Sequence, residues 1–228
     1  MRCTPFLSAR RAHLLALALA GLLAAGAAGA GELRIVDRPI PFGERRRALT
    51  LEYLRQHVDP TASDIALDPR AVVIHWTASP TLPSVLAAFT PDELPPGRPE
   101  LRRGGRVNVS AHFAVDRDGT VYRLVPETWT ARHTIGLNRV AIGIENVGGP
   151  AWPLTDAQLA ADARLVRDLV ARHPGIRMLL GHREYGRLRG TPLWEERDPG
   201  YFTGKEDPGA KFMERLRREV ADLELERP

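Results

Sequence analysis

Apolar residues recur along this chain with two different spacings. Short, nearly continuous apolar runs at 71–75, 140–148 and 176–182 predict buried strands. Apolar residues three to four positions apart at 155–175 and 207–223 predict helices that pack through one face. Strands that alternate with helices in this way predict an α/β domain, with a central mixed β-sheet flanked by helices.

Turn and capping residues mark the borders of these elements. Two alternating runs within 112–125 meet at Asp118-Gly119, a dipeptide typical of tight turns, and they predict a β-hairpin. Thr155 and Gln158 are spaced as a capping box, in which each side chain satisfies a backbone N–H of the other residue. The long helix is therefore expected to begin at this threonine.

The remaining boundaries are marked less sharply. A short helix is predicted at 50–58 with Thr50 as its N-cap. The segment 90–106 is rich in proline, glycine and charged residues and has no periodic spacing of apolar residues, which predicts an exposed loop. Near the C-terminus, Asp207 is the expected N-cap of the last helix, with Pro208 in its first turn.

The first thirty residues have the layout of an export signal. A basic start precedes the apolar run 14–23, and small residues lead to Ala30, the expected cleavage point. The alternative, a membrane anchor, needs ~20 strongly apolar residues, whereas alanine and glycine dominate here. We expect a signal peptide at 1–30, an accessory segment at 31–68 and one catalytic domain at 69–228. The protein is then exported, to the periplasm or the extracellular space.

Removing that segment changes the charge balance. The full chain carries +4, but three of its 32 basic residues and none of its 28 acidic residues lie in 1–30, which leaves 29 against 28. A net charge near zero gives no support for nucleic acid as a partner. Cys3, the one cysteine, also lies in this segment. The mature chain can therefore form no disulfide and must hold any metal with histidine and carboxylate.

Two histidines and one aspartate stand where strands or loops end. His75 closes the first predicted strand, His182 closes the last one, and Asp207 lies where a loop turns into the final helix. Ligands collect at the strand ends of open α/β sheets. Two imidazoles and one carboxylate make a tetrahedral zinc site with an open fourth position, as in catalytic zinc sites. The alternative is three unrelated residues, because their separations match no local metal motif.

Five segments of the chain carry motifs that are weak alone and specific in combination. They are VVIHWTAS, HFAVDRDGTVYRLV, RHTIGLNRVAIGIE, LLGHREY and GKEDPGAKF, and they span about residues 70–216. Together they resemble the zinc-dependent N-acetylmuramoyl-L-alanine amidases of the type 2 amidase family, relatives of the peptidoglycan recognition proteins. The resemblance implies the fold of those proteins and one zinc ion per chain, bound by His75, His182 and Asp207.

The resemblance also implies a reaction and two catalytic residues. In the branch that acts on anhydro-muropeptides, a glutamate closing the S-I-G-I-E strand is the general base for a zinc-activated water. A lysine two residues before the aspartate ligand stabilises the oxyanion. These residues correspond to Glu145 and Lys205. The implied function is a secreted hydrolase that cuts the amide between N-acetylmuramic acid and L-alanine of the stem peptide, in peptidoglycan or a muropeptide.

The chain departs from the family pattern at two places. A tyrosine that faces zinc in the recognition proteins is replaced by Ala111, so Glu145 is expected to be the base alone. His133 keeps the histidine of the W-H-A-G motif and is a candidate for contacting substrate, with simple packing as the alternative. Trp76, beside the first ligand, is interpreted as wall or core, with stacking on a sugar as its alternative role.

Other histidines and aromatic residues receive structural or open assignments. His112 is expected to serve the hairpin, and His57 and His173 are expected on helix surfaces or at helix ends, without a functional role. The stretch 184–204 is longer than a minimal loop and is a candidate for shaping a groove. Its aromatic residues either stack on glycan or anchor the loop; they are Trp194, Tyr201 and Phe202.

Two other functions remain open at this point. A non-catalytic peptidoglycan-binding module would keep the fold and lose ligands, usually the third, and the presence of Asp207 and Lys205 argues against it. A zinc amidase that acts on a different secreted amide would keep the metal site and change only the groove. In each case we expect a monomer, with no stable membrane insertion after signal cleavage.

Overall fold

The computed structural model describes Met1 and residues 33–228. Apart from Met1, the expected signal peptide at 1–30 lies outside the described residues. Leu33–Pro228 forms one compact unit. Within the described part of the chain, no helix is long and apolar enough to cross a membrane.

A mixed sheet of six strands forms the centre of this unit, which confirms the predicted fold class. The strands are β1 (Ile35–Asp37), β2 (Ala71–Trp76), β3 (Phe113–Val115), β4 (Val121–Arg123), β5 (Ala141–Asn146) and β6 (Met178–Gly181). Their order in the sheet is β1-β4-β3-β5-β2-β6. Neighbouring strands run parallel except for the hairpin pair β3 and β4.

Helices cover both faces of the sheet. They are α1 (Glu44–His57), α2 (Leu82–Phe89), α3 (Pro99–Arg102), α4 (Asp156–Arg172) and α5 (Ala210–Glu219), with 3₁₀ turns at His182–Leu188 and Ala221–Leu223. Val72 and Ile74 of β2 face the core under α4 and α5, whereas Ala71 and Val73 face the core under α1. A strand covered on both faces needs a continuous apolar run, which explains the pattern at its N-terminal end.

Two local signals from the sequence are confirmed. The hairpin turns at Asp118-Gly119, where the glycine has φ 86° and therefore adopts the left-handed conformation that favours glycine. Thr155 caps α4 by accepting a hydrogen bond from the Gln158 N–H, while the Gln158 side chain accepts from the Thr155 N–H. Both signals involve residues close in sequence, so the sequence pattern suffices to predict them.

Two predicted helix caps are wrong. Helix α1 begins at Glu44 rather than at the predicted 50–58, and Thr50 lies inside it with its hydroxyl donated to the Arg46 carbonyl. Helix α5 has Gly209 as its N-cap, so Asp207 is not a capping residue. The N-cap residues are Gly43 for α1 and Gly209 for α5. The Asp207 side chain is therefore available for other contacts.

The segment 90–106, predicted to be an exposed loop, is partly folded. It contains α3, and its leucines Leu94 and Leu101 are buried. The backbone of Leu94 also pairs with Arg106. Burial of these leucines anchors a segment that has no hydrophobic period.

The expected accessory segment 31–68 contributes elements to the compact unit, as far as it is described. Strand β1 pairs with β4 at the edge of the sheet. Leu49 and Tyr53 of α1 belong to the core beneath β2 and β6. This segment therefore packs as part of the unit that contains residues 69–228.

A buried carboxyl group in the core predicts an unusual pH dependence of stability. Asp162 of α4 is fully buried, and its Oδ2 accepts a hydrogen bond of 2.9 Å from Asn146. Burial raises the pKa of Asp162 to about 7. Since the folded-state pKa lies above that of the unfolded chain, this group favours folding below about pH 4, and that contribution is lost as the pH rises through 7.

We therefore expect Asp162→Asn to be more stable than the wild type above pH 7, because the neutral amide removes a buried charge and keeps an acceptor for Asn146. Thermal unfolding of the metal-free protein between pH 4 and 8 measures this difference. Asp168→Asn, on the partly exposed face of the same helix, is the control. Parallel pH profiles for wild type and Asp162→Asn would contradict the assignment.

Candidate active site

The C-terminal ends of three neighbouring strands bring the predicted site residues together. His75 of β2 is paired in register with Glu145 of β5. His182 follows directly after β6, which lies on the other side of β2. The backbone N–H of Arg183 donates to the Asp207 carbonyl at 2.8 Å and joins the third residue to this edge. Parallel pairing thus aligns residues that are far apart in sequence.

The two histidines and the aspartate form a nearly equilateral triangle of ligand atoms. His75 Nδ1 lies 2.9 Å from His182 Nδ1, and each lies 3.1 Å from Asp207 Oδ2. All three residues are buried. A tetrahedral zinc ion with bonds near 2.0–2.1 Å requires ligand atoms about 3.3 Å apart. The triangle therefore has the size and chemistry of three zinc ligands with a fourth position open.

The protonation states of this group favour a cation between the three atoms. Burial, and then the charge of His75, lower the pKa of His182 to about 4, so this imidazole is neutral at pH 7. Burial opposes ionisation of Asp207, but contacts with both imidazoles hold its pKa well below the usual range. Each imidazole nitrogen can donate to the Asp207 carboxylate or offer its lone pair to a metal ion, so the three atoms have the chemistry to hold a cation.

Glu145 lies in the same cleft and keeps an unpaired carboxylate oxygen. Its Oε2 is buried and has no hydrogen-bond partner among the described residues. Burial raises the pKa of Glu145 to about 7, opposed by the charges of His75, Lys205 and Arg98 and reinforced by Asp207. A carboxylate with a pKa near the working pH can exchange a proton efficiently.

The cleft has a volume of about 320 Å³ and contains all the predicted site residues. Lys205 and Trp76 line it together with the ligand triangle and Glu145. Lys205 is half-buried, and its charge lowers the pKa of both Glu145 and His182. A cleft of this size accommodates part of a larger substrate.

His133 lines the cleft and also lies behind the first ligand. Its Nδ1 is 3.1 Å from His75 Nε2, and its Nε2 is 3.0 Å from the Ala141 carbonyl oxygen. Burial, and then the charges of His75 and His112, hold the pKa of His133 well below its usual range. His133 therefore contacts the candidate metal ligand His75 and also faces the cleft.

Arg98 was not identified from the sequence as a site residue. It lines the cleft, and its charge acts on Glu145. Its segment was interpreted as an exposed loop, and no local pattern distinguishes it from the other arginines there. Arg132 holds this segment in place, because its guanidinium donates to the carbonyls of Leu101 and Gly104.

Two other histidines have structural contacts. His112 accepts a hydrogen bond from the Gly143 N–H and donates to the Trp129 carbonyl, so both ring nitrogens are satisfied away from the ligand triangle. His57 is the last residue of α1 and so lies at a helix end, one of the two predicted places, but its side chain is not exposed. His57 is fully buried, lies 2.8 Å from Glu196 and stacks on Tyr53 with ring centroids 4.5 Å apart.

The aromatic residues of 184–204 differ in their surroundings. Tyr201 is buried, lines the cleft and accepts a hydrogen bond from Arg132 at 2.7 Å. Trp194 covers Gly136, where an added Cβ would lie 2.7 Å from the indole. Phe202 stacks on Tyr185 at 5.0 Å and remains 38% exposed. Tyr201 and Trp194 therefore anchor the segment through packing.

Comparisons with known proteins agree with this geometry. The chain matches the family described as N-acetylmuramoyl-L-alanine amidase over residues 66–210. It is 31% identical over 121 residues to the 1,6-anhydro-N-acetylmuramyl-L-alanine amidase AmpD of Salmonella typhimurium, a match that covers 47% of this chain. The chain spans 64% of the length of that relative.

Solved structures share the fold at lower identity. N-acetylmuramoyl-L-alanine amidase LysC from Clostridium intestinale is 23% identical, with a TM-score of 0.50 over 85% of this chain and 99% of that one. A selenomethionine derivative of AmpD is 24% identical, with a TM-score of 0.51 over 82% of this chain and 94% of that one. The fold of this chain is thus the amidase fold, and because the family match extends over more than half of its residues, the protein belongs to the N-acetylmuramoyl-L-alanine amidase family.

Proposed function

We propose that this protein is a zinc-dependent N-acetylmuramoyl-L-alanine amidase, which hydrolyses the amide between N-acetylmuramic acid and L-alanine of the stem peptide. The observation that carries the proposal is the triangle of His75, His182 and Asp207 in one cleft with Glu145 and Lys205. A zinc ion held by the three ligands would supply a Lewis acid that polarises the scissile carbonyl and acidifies water.

Two side chains of the protein carry out the proton transfer and the stabilisation of the oxyanion. Glu145 takes the proton from the attacking water, and its pKa of about 7 lets it accept that proton and later pass it to the leaving amine. Lys205 donates a hydrogen bond to the carbonyl oxygen as negative charge develops there. Both residues act from a partly buried cleft, where the weaker screening strengthens each interaction.

The size of the substrate is a separate part of the proposal. The name of the Salmonella relative specifies an anhydro-muramyl compound, whereas endolysins occur among the similar structures. Soluble muropeptides and intact peptidoglycan are therefore the two substrate forms to compare. In both, we propose that the scissile bond is the same lactyl–alanine amide.

Export is proposed from the N-terminal sequence. If residues 1–30 are a cleaved signal, the mature protein begins at Gly31 and acts in the periplasm or outside the cell. N-terminal sequencing of protein purified from the cell envelope or medium is the measurement. A full-length chain that retains residues 14–23 would instead indicate an anchored or unexported protein.

Metal content tests the proposed ligand set. We expect about one zinc ion per wild-type chain, and we expect His75→Ala and His182→Ala to lose it because two ligands cannot hold the ion against a chelator. Elemental analysis after dialysis against a mild chelator measures the content. His173→Gln is the control, because this histidine contacts Glu127 rather than the triangle. Stoichiometric zinc in both alanine variants would refute the ligand assignment.

The catalytic roles are tested by variants that leave the ligands intact. We expect Glu145→Gln to lower kcat by ~10²–10⁴-fold. Lys205→Ala is expected to lower it by ~10²–10³-fold. Both variants should retain zinc and bind peptidoglycan. Mass spectrometry of stem peptides released from peptidoglycan and from muropeptides measures the turnover.

Each variant has a control of the same residue type. Glu206→Gln changes an exposed carboxylate beside Lys205, and Lys211→Ala removes the exposed ammonium of α5. Both controls should turn over at the wild-type rate. If wild type binds peptidoglycan but releases no peptide with N-terminal L-alanine, the protein is a binding module. If Glu145→Gln cuts at the wild-type rate, another group is the base.

A further inference from the structure

The imidazole of His75 is contacted on both of its nitrogens. Its Nδ1 belongs to the ligand triangle, while its Nε2 lies 3.1 Å from His133 Nδ1 and 3.4 Å from Thr134 Oγ1. A neutral imidazole carries one proton, which can be on either nitrogen. His75 can bind a metal through Nδ1 only when its proton is on Nε2. The contacts behind the ligand therefore decide whether it can bind.

The backbone of β5 fixes the tautomer of His133. Its Nε2 is 3.0 Å from the Ala141 carbonyl oxygen, which can only accept a hydrogen bond. The proton of neutral His133 is therefore on Nε2, and Nδ1 is an acceptor. When His75 binds a metal ion through Nδ1, its remaining proton is on Nε2 and faces this acceptor at 3.1 Å. His133 Nδ1 has one lone pair, which the His75 N–H and the Thr134 hydroxyl at 2.9 Å can share, and the Thr134 oxygen lies 3.4 Å from His75 Nε2.

We infer that His133 is a positioning residue that holds His75 in the tautomer whose Nδ1 faces the metal. The hydrogen bonds run from His75 Nε2–H to His133 Nδ1, and from His133 Nε2–H to the Ala141 carbonyl. Histidine ligands in metal sites generally donate their second N–H to a fixed acceptor, which orients the ring. This role differs from the substrate contact expected from the sequence, and it rests on the metal site of the proposed function.

The surroundings of His133 keep its ring in place. Its backbone N–H donates to Asn138 Oδ1 at 2.8 Å, and Asn138 in turn donates to the Tyr53 hydroxyl at 2.9 Å. The ring packs against Gly143 of β5, where an added Cβ would lie 2.7 Å from the imidazole. Ala141, Gly143 and Glu145 alternate on one face of this strand. The two small residues leave room for the ring of His133, and the third supplies the catalytic carboxylate.

The tautomers can be read directly without any metal. Long-range ¹H–¹⁵N NMR correlations of imidazole rings distinguish Nδ1–H from Nε2–H. In metal-free protein at neutral pH, we expect the Nε2–H form for His133, and in Asp207→Ala protein, where no carboxylate competes for the Nδ1 proton, we expect the Nε2–H form for His75 as well. A predominant Nδ1–H form of His133 in the wild type, or of His75 in Asp207→Ala protein, would overturn the inference, and this readout needs no activity.

The affinity for zinc tests whether the contact between His133 and His75 contributes to metal binding. His133→Leu removes both ring nitrogens, and we expect it to weaken zinc binding ~10- to 100-fold. His133→Asn places an amide oxygen near the position of Nδ1 and should recover much of that loss, although it cannot reach Ala141. Competition with a chromophoric chelator measures the dissociation constants.

His112 supplies the matched control. It is a buried neutral histidine beside His133, with ring centroids 5.7 Å apart, and both of its nitrogens contact backbone groups. His112→Leu and His112→Asn should lower the melting temperature without changing the zinc dissociation constant. Unchanged zinc affinity in His133→Leu, or equal losses in all four variants, would show that His133 only packs.

Failure of this inference is distinguishable from failure of the proposed function. If wild type binds no zinc, the metal site is wrong, and the tautomer of His75 still reports on the hydrogen-bond chain. If wild type binds zinc with His75 as a ligand and His133→Leu binds it equally well, the proposed function stands and the positioning role is wrong. If His133→Leu does not fold, the NMR tautomers decide.

Discussion

The rest of the site depends on three candidate ligand atoms that the fold holds at contact distance from one another. His75 Nδ1, His182 Nδ1 and Asp207 Oδ2 lie 2.9–3.1 Å apart in a buried position. Such a cluster is stable only when a proton or a metal ion lies between the atoms, because little water is available to solvate them. The parallel pairing of β2 with β6 and the backbone contact to Asp207 impose this closeness. Fold stability and metal affinity are therefore linked.

Strand β5 carries core residues together with the proposed support of His75 and the proposed catalytic carboxylate. One face presents Ala141 and Gly143 to the ring of His133 and then Glu145 to the cleft. On the other face, Asn146 donates to Asp162 and also to the backbone carbonyl of His75 at 3.3 Å. A change in the register of this strand would move the base and the support of the first ligand together.

Two buried arginines hold the backbone around the segment that carries Arg98. Arg46 and Arg132 are buried, and within the described residues their guanidinium groups donate to carbonyl or hydroxyl oxygens and form no ion pair with a carboxylate. Burial lowers the pKa of Arg46 to about 10, which still leaves it charged at neutral pH. These donors satisfy the carbonyls of a segment without regular structure, and so they hold Arg98 beside the cleft. Arg132 is adjacent to His133. One short segment therefore contacts both the backbone near Arg98 and the imidazole of His75.

The sequence by itself determined most of the elements and named a candidate ligand set, and the tertiary structure decided the contacts between them. Periodicity and caps report local burial, which explains the success at the hairpin and at Thr155, whereas the cap expected at Asp207 failed because Gly209 holds that position. The family motifs indicated the candidate ligands, although the separations of these residues match no local metal motif. The contact of His133 with His75 joins residues 58 positions apart, and that of His57 with Glu196 spans 139. Such pairings depend on strand order and packing, which a local sequence window does not contain.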